Sequence, residues 1–126
     1  MAKEQNPVGW FEIPASDLKR AKKFYEKIFG YKLSLQKMGK VDMAFFPMIP
    51  GAPCAAGALV MCEDYFTPSH DGTLVYFSVE AIDAALKKIE KAGGKTVMPK
   101  MSIGEHGFIA LIIDTEGNQI GLHAMS

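Results

Sequence analysis

Two side chains with acid–base chemistry lie near the two ends of the chain, Glu12 in "GWFEIP" and His123 in "IGLHAM". A carboxylate that orients an imidazole can serve as a general base or can hold a substrate hydroxyl. The same pair can instead form a structural hydrogen bond that satisfies two half-buried polar groups. Either interpretation requires that the two strands carrying these residues lie side by side.

A second histidine, His106, lies in the glycine-flanked loop "SIGEHGF". Loops of this kind often form the rim or lid of a cavity, so His106 is a candidate ligand contact. A metal site built from Glu12, His106 and His123 is an open alternative. The turn "DTEGN", residues 114–118, resembles a carboxylate-rich cation loop, but a simple hairpin turn explains all of it.

The elements that must position these side chains follow from hydrophobic periodicity. A strand is predicted over Val8–Pro14, and a helix follows with Ser16 or Asp17 as its N-cap and Gly30 as its stop. Three short strands come next. The order then starts again with the strand "TLVYFSV", the helix "IDAALKKIEKAGG" and three further strands. The fold class is therefore predicted to be α+β, with two βαβββ repeats.

The whole chain, residues 1–126, is predicted to form a single domain with its repeats at about 7–63 and 72–125. Each sheet should bury one face under its helix. The sheets should then curl as a mixed sheet, so that their other faces surround a shared cavity where a small ligand would bind.

The two repeats align with two slightly different offsets. Leu18 matches Ile82 along the helices, whereas Ile13 matches Val79 along the first strands. The offset between the strands is therefore two residues longer than the offset between the helices. The second repeat is therefore predicted to lack two residues in the loop between its first strand and its helix.

Alternation along the strands assigns their two faces. Residues expected under the helices are aliphatic or aromatic: Phe11, Ile13, Val75, Phe77, Val79, Ile120 and Leu122. Residues expected on the cavity face mix aromatic, small and polar types, as a ligand pocket does: Trp10, Glu12, Leu74, Tyr76, Ser78, Gly121 and His123. Trp10 is either a stacking wall for a planar ligand or an aromatic that fills the place of a metal. Gly121 is expected to leave room for that ligand.

Three segments resemble the vicinal oxygen chelate superfamily, which contains glyoxalase I, bleomycin-resistance proteins and extradiol dioxygenases: "FEIPASDLKRAKKFYEKIFGYKL", "VEAIDAALKKIEKAGGK" and "DTEGNQIGLH". The resemblance extends from Pro7 to His123. It implies a tandem βαβββ fold and a homodimer as the common assembly. Because the superfamily runs many reactions on one scaffold, the resemblance alone does not specify a reaction.

Enzymes of this superfamily typically hold a divalent metal through His, Glu or Gln in the first and last strands of each repeat. The resemblance places these positions on residues without suitable donors: Trp10, Leu74, Gly121 and, for the fourth, Val60 or Met61. Trp and Leu offer no donor atom, Gly has no side chain, and a thioether suits only soft metals. We therefore expect neither the usual metal site nor a cofactor, with a divalent metal on relocated ligands as the alternative.

Composition narrows the possible partners. Lys and Arg together number 14, and Asp and Glu together also number 14, so the formal net charge is zero. The sequence therefore has no excess of positive charge that would indicate a nucleic acid or membrane partner. No apolar run approaches the roughly 18 residues of a membrane span, and the cytoplasm is the expected compartment. Four functions stay open: a metal-free binder of a small apolar or aromatic molecule, a metal-dependent lyase, isomerase or dioxygenase related to lactoylglutathione lyase, a metal-free acid–base enzyme using Glu12 and His123, and a domain that acts by association.

Overall fold

The computed structural model describes residue 6 and residues 8–62 and 67–126. In chain order its elements are β1 (Trp10–Pro14), α1 (Leu18–Phe29), β2 (Ser34–Met38), β3 (Val41–Phe45), β4 (Ala56–Met61), β5 (Val75–Ser78), α2 (Ile82–Lys91), β6 (Lys95–Ser102), β7 (Phe108–Ile113) and β8 (Gln119–Ala124). A short 3-10 turn, Gly104–His106, precedes β7. The predicted α+β fold with two βαβββ repeats is confirmed. The expected limits of the first repeat, 7 and 63, lie outside the described residues.

Each repeat forms its own four-stranded mixed sheet. The strand orders are β1-β4-β3-β2 and β5-β8-β7-β6. β1 runs parallel to β4 and β5 runs parallel to β8, while the remaining pairs are antiparallel. In the described part of the chain the two sheets do not close into one barrel. The two sheets nevertheless meet within the core, because the rings of Phe11 in β1 and Phe77 in β5 are in T-shaped contact with centroids 5.7 Å apart.

The two repeats align at one constant offset through strand, loop and helix, so the predicted loss of two residues from the second loop is wrong. Ala15 and Val79 each donate a backbone hydrogen bond to the last strand of their repeat, at 2.8 and 2.9 Å. Each is also followed three residues later by the first residue of its helix, Leu18 or Ile82. The structural counterpart of Val79 is therefore Ala15, and that of Ile13 is Phe77. Because the error is an even number of residues, strand alternation could not reveal it.

Helix α1 begins and ends where the sequence predicts. Asp17 is its N-cap, with Oδ1 accepting a hydrogen bond from the Arg20 N–H at 3.1 Å. Gly30 ends the helix in the left-handed region at φ 74°, and its N–H donates to the Glu26 carbonyl at 2.9 Å. Within the described residues neither helix has the length and apolarity needed to cross a membrane.

One apolar core joins both helices to both sheets. Tyr25 lies in it fully buried, and its ring contacts those of Phe24, Phe46 and Phe77. Six of the seven residues predicted to lie under the helices belong to this core or pack against it: Phe11, Ile13, Phe77, Val79, Ile120 and Leu122. Both helices pack on this core, so no described helix covers the opposite face of either sheet. We call these two sheet surfaces the open face.

Candidate functional site

The open face of the first sheet is apolar around Trp10. The Trp10 side chain is 38% exposed, and its ring meets that of Phe45 edge-on with centroids 5.4 Å apart. Phe45 packs on a small buried cluster of the same sheet, formed by Met43, Ala58, Val60 and Cys62. Trp10 is therefore supported along one edge and remains accessible to a ligand.

On the second sheet, Tyr76 occupies the space that Gly121 provides. The two residues pair across β5 and β8. A Cβ added at Gly121 would lie 2.5 Å from Cε1 of Tyr76, well inside van der Waals contact. The expectation that Gly121 leaves room for a ligand is therefore wrong, because the tyrosine ring fills that room. Tyr76 is itself 46% exposed and offers a second aromatic surface on the open face.

The residues to which the superfamily resemblance assigns the metal positions can be located in the structure. The constant offset between the repeats makes Leu74, just before β5, the structural counterpart of Trp10. Gly121 pairs with Tyr76, and the counterpart of Tyr76 in the first repeat is Glu12, which pairs with Ala58. By this register the residue of the first repeat that corresponds to Gly121 is Ala58, whereas the resemblance pointed to Val60 or Met61. Indole, isobutyl, methyl and hydrogen side chains cannot ligate a divalent metal.

Glu12 and His123 do not lie on neighbouring strands. β1 pairs with β4, while β8 pairs with β5 and β7 of the other sheet. The Trp10 indole N–H donates to Oε2 of Glu12 at 3.3 Å. Glu12 also lines a cleft of about 170 Å³ together with Thr73 and Gln119. The side-by-side arrangement that the acid–base pair requires is therefore not present.

His123 contacts the backbone of His106. Its Nε2 lies 2.6 Å from the His106 carbonyl oxygen. The His106 side chain is 77% exposed, and its nearest charged partner is Glu105 at 3.9 Å. His106 therefore meets the candidate site through its carbonyl group, whereas the sequence pointed to its imidazole. Across residues 8–62 and 67–126, no three His, Cys, Asp or Glu side chains come together to hold a metal.

A larger cavity, of about 600 Å³, lies on the helix side of the first sheet. It is bounded by the first turn of α1 and by β2 and β3, with apolar walls that include Leu18, Leu35 and Met61. The residues predicted to contact a ligand do not line it. Its volume falls within the range of small-molecule sites, so any binding experiment must distinguish it from the open face.

The hairpin turn "DTEGN" fastens the second repeat to the start of α1. Glu116 Oε1 accepts hydrogen bonds from the backbone N–H groups of Ser16 and Asp17 at 2.9 and 2.8 Å. Arg20 Nε donates to Oε2 of the same carboxylate at 2.7 Å. The Glu116 side chain is fully shielded from solvent, whereas that of Arg20 is 52% exposed. We call these contacts the Glu116 network.

A buried hydrogen bond accompanies the Glu116 network. The Tyr25 hydroxyl donates to Oδ2 of Asp114 at 2.7 Å, and the Asn118 amide donates to the same oxygen at 3.0 Å. Burial raises the pKa of Tyr25 well above its ordinary value, and the nearby Asp114 raises it further. Sequence reasoning explained this turn as a hairpin and missed its contacts with the first repeat. The available signal was the concentration of acidic and amide side chains in one short turn.

Helices on one side of two βαβββ sheets, with an open face on the other, define a glyoxalase-type domain. The sequence model of the Glyoxalase/Bleomycin resistance protein/Dioxygenase superfamily matches residues 8–122, and the chain belongs to that superfamily. This confirms the resemblance stated from the sequence.

Curated relatives and solved structures agree with this assignment. The "Glyoxylase-like domain-containing protein" of Didymella fabae is 30% identical over 114 residues, which cover 88% of each chain. The "Putative glyoxylase CFP32" of Mycobacterium tuberculosis is 28% identical over 131 residues, which cover 94% of this chain. The chain spans 45% of the length of that relative.

Two solved structures illustrate the fold. The glyoxylase/bleomycin resistance protein/dioxygenase domain from Frankia sp. EAN1pec superposes with a TM-score of 0.73 at 19% identity, over 96% of this chain and 98% of that one. Glyoxalase I from Zea mays superposes with a TM-score of 0.67 at 18% identity, over 99% of this chain and 48% of that one. At these identities the likeness shows the fold and nothing finer.

Proposed function

We propose that the chain binds a small apolar or aromatic molecule on the open face without the metal site usual in its superfamily. The observation that carries this proposal is the exposure of two aromatic side chains, Trp10 and Tyr76, on that face. The strands that carry them, β1 and β5, also carry Phe11 and Phe77, whose rings are in contact within the core. Accessible aromatics beside a few polar groups are typical of ligand sites.

The donor chemistry of the open face favours binding over metal catalysis. A catalytic metal needs about three protein ligands and an open position. The four superfamily positions carry Trp10, Leu74, Gly121 and Ala58, so the side chains do not fit a divalent ion. We therefore do not propose a metal-dependent reaction for this chain on the basis of its glyoxylase relatives.

Association of two copies would add to this site. The open face is not enclosed in the described part of the chain, and a second copy could cover it. Homodimerisation, which the superfamily resemblance implies, and a cytoplasmic location stay predictions. Light scattering at several protein concentrations measures the first of these directly.

Trp10 makes the binding proposal easy to test, because it is the single tryptophan of the sequence. A panel of aromatic compounds is first screened by thermal shift, and each hit is titrated against tryptophan fluorescence excited near 295 nm. We expect hits to change the Trp10 emission and Tyr76→Ala to weaken them about tenfold, as loss of a stacking surface does.

The helix-side cavity supplies the matched control. Leu35 is 54% exposed there, so Leu35→Ser should be tolerated and should leave the affinity of open-face ligands unchanged. Hits that leave Trp10 emission unchanged, survive Tyr76→Ala and are lost in Leu35→Ser would overturn the proposal. Such a result would place the ligand in the helix-side cavity.

A further inference from the structure

The hydrogen bond between His123 and His106 fixes the tautomer of the His123 ring. A backbone carbonyl oxygen can only accept a hydrogen bond, so Nε2 of His123, 2.6 Å away, must carry the proton. In a neutral imidazole one nitrogen is a donor and the other is an acceptor. Nδ1 of His123 is therefore the nitrogen with the free lone pair.

The free nitrogen is accessible. Hydrogen bonds in the described residues engage Nε2 of His123 and not Nδ1. Across the same residues, no buried side-chain nitrogen or oxygen of a shielded residue lacks a hydrogen-bond partner. His123 is itself half-buried and its Nδ1 has no hydrogen-bond partner among the described residues, so Nδ1 is not fully buried. A lone pair that is both fixed in direction and open to solvent is available to a ligand.

The surroundings of His123 specify what that ligand presents. His123 pairs with Ser78 across β8 and β5, and Tyr76 lies two residues from Ser78 on the same face. Residues two apart along a strand are separated by about 6.6 Å. An aromatic ring resting on the Tyr76 side chain can therefore place a ring substituent beside His123.

From this arrangement we infer that His123 selects ligands with a hydrogen-bond donor, and that the natural ligand is a hydroxyl-bearing aromatic compound such as a phenol. The inference rests on the proposed function, because it assumes that an aromatic molecule binds the open face. A phenol donates to the Nδ1 lone pair. An ether at the same position offers a second lone pair and leaves Nδ1 without a partner.

The contact with His106 has a structural purpose as well. It fastens the 3-10 turn Gly104–His106 to β8 at the edge of the open face. The Ile103 N–H closes this turn by donating to the Gly107 carbonyl at 2.9 Å. One imidazole therefore orders the turn through Nε2 and recognises the ligand through Nδ1. The two roles can be separated by substitution.

The tautomer can be measured without any ligand. Long-range ¹⁵N–¹H spectra of the histidine side chains distinguish a protonated from an unprotonated ring nitrogen. At pH 9, where an ordinary imidazole is neutral, we expect His123 to give the Nε2–H pattern. An Nδ1–H pattern would overturn the inference, whatever the ligand experiments show.

The ligand preference is tested with 4-ethylphenol and its methyl ether, 4-ethylanisole, which share the same ring and alkyl group. We expect the phenol to bind about tenfold more tightly, which corresponds to one hydrogen bond. His123→Gln keeps a donor near Nε2 but removes the acceptor at Nδ1. That variant should bind both compounds equally and keep the amide exchange of Gly104–Gly107 unchanged.

His123→Asn is the complementary variant, because its short amide can replace Nδ1 but cannot reach the His106 carbonyl. We expect it to keep the preference for the phenol while amide exchange in the 3-10 turn accelerates. Equal affinity of the unmodified protein for phenol and ether would overturn the ligand assignment and leave the proposed function standing. Failure of both compounds to bind would count against the proposed function, while the NMR result still decides the tautomer.

Discussion

Replacing Glu116 with glutamine should weaken the contacts between the second repeat and the start of α1 while preserving the shape of the side chain. The carboxylate accepts hydrogen bonds from two backbone N–H groups and from Arg20, and it is fully shielded from solvent. In Glu116→Gln one oxygen can still accept from Ser16 and Asp17. The other becomes an NH₂ group that faces the Arg20 guanidinium, so a charge-assisted contact becomes donor against donor.

The expected loss follows from these contacts. A hydrogen bond to a charged group contributes about 1.5–3 kcal/mol. Arg20 is half exposed, which reduces the ion-pair contribution toward the roughly 0–1 kcal/mol typical of surface pairs. We expect Glu116→Gln to lower the free energy of unfolding by about 2 kcal/mol, and Glu116→Ala by about 3 kcal/mol because both backbone N–H groups lose their acceptor. The first value corresponds to about 8 °C in Tm for a chain of this size.

The pH dependence provides a second signature. Burial alone would raise the pKa of Glu116, but hydrogen bonds from Arg20 and the Asp17 N–H outweigh burial and hold this pKa below its ordinary value. Because the folded-state pKa is the lower one, the stabilisation is fully present above the unfolded pKa of about 4.3. It is lost as the pH falls through the folded value. The difference between the unmodified protein and Glu116→Gln should therefore be constant at pH 6–8 and shrink below about pH 4.

Urea unfolding followed by Trp10 fluorescence and by circular dichroism measures these differences. Glu105→Gln is the matched control, since the Glu105 side chain is 90% exposed and should change stability by less than about 0.5 kcal/mol. If Glu116→Gln behaves like this control at pH 7, with an unchanged urea dependence, the reasoning about the Glu116 network is refuted.

Three further outcomes are expected. Tyr25→Phe should lower the free energy of unfolding by about 1–3 kcal/mol, because Asp114 loses a buried donor. Since the pKa of Tyr25 is raised on folding, the unmodified protein should also lose stability more steeply than the variant above about pH 10. Urea unfolding curves that coincide for the two proteins, at neutral and at alkaline pH, would contradict both points. Gly121→Ala should cost about 1–3 kcal/mol by overlap with Tyr76, and a double-mutant cycle with Tyr76→Ala should recover most of it; additive effects would show that the two side chains do not compete. Adding Ni²⁺, Zn²⁺, Mn²⁺ or Fe²⁺ should move the Tm by less than about 1 °C, with no stoichiometric metal in elemental analysis, whereas a rise of several degrees would reveal a bound ion.

The fold could be predicted because its signals are local. The amphipathic pattern of each helix, the Asp17 cap and the Gly30 stop are all contained within short stretches of sequence. The alternation of Phe11 and Ile13 with Trp10 and Glu12 assigned the faces of β1 for the same reason. The offset error between the repeats was invisible to alternation, because a slip of two residues preserves the face of every side chain.

The contacts of the site could not be predicted because they join distant parts of the chain. Whether Glu12 meets His123 depends on which strands pair, and the sequence contains no signal for that choice. The overlap of Tyr76 with the space above Gly121 depends on cross-strand register. His106 was selected for its imidazole, whereas its contribution is a backbone carbonyl that every residue type possesses.

The Glu116 network also affects the order in which parts of the protein fold during synthesis. Glu116 is separated by 100 and 99 residues from Ser16 and Asp17, and it accepts hydrogen bonds from their backbone N–H groups. During synthesis the Ser16 and Asp17 N–H groups at the amino end of α1 therefore lack this acceptor until Glu116 has been added. Such distant contacts are costly to close and form late. A chain that stops before Glu116 should therefore have a less stable α1, because the Ser16 and Asp17 N–H groups lose their acceptor.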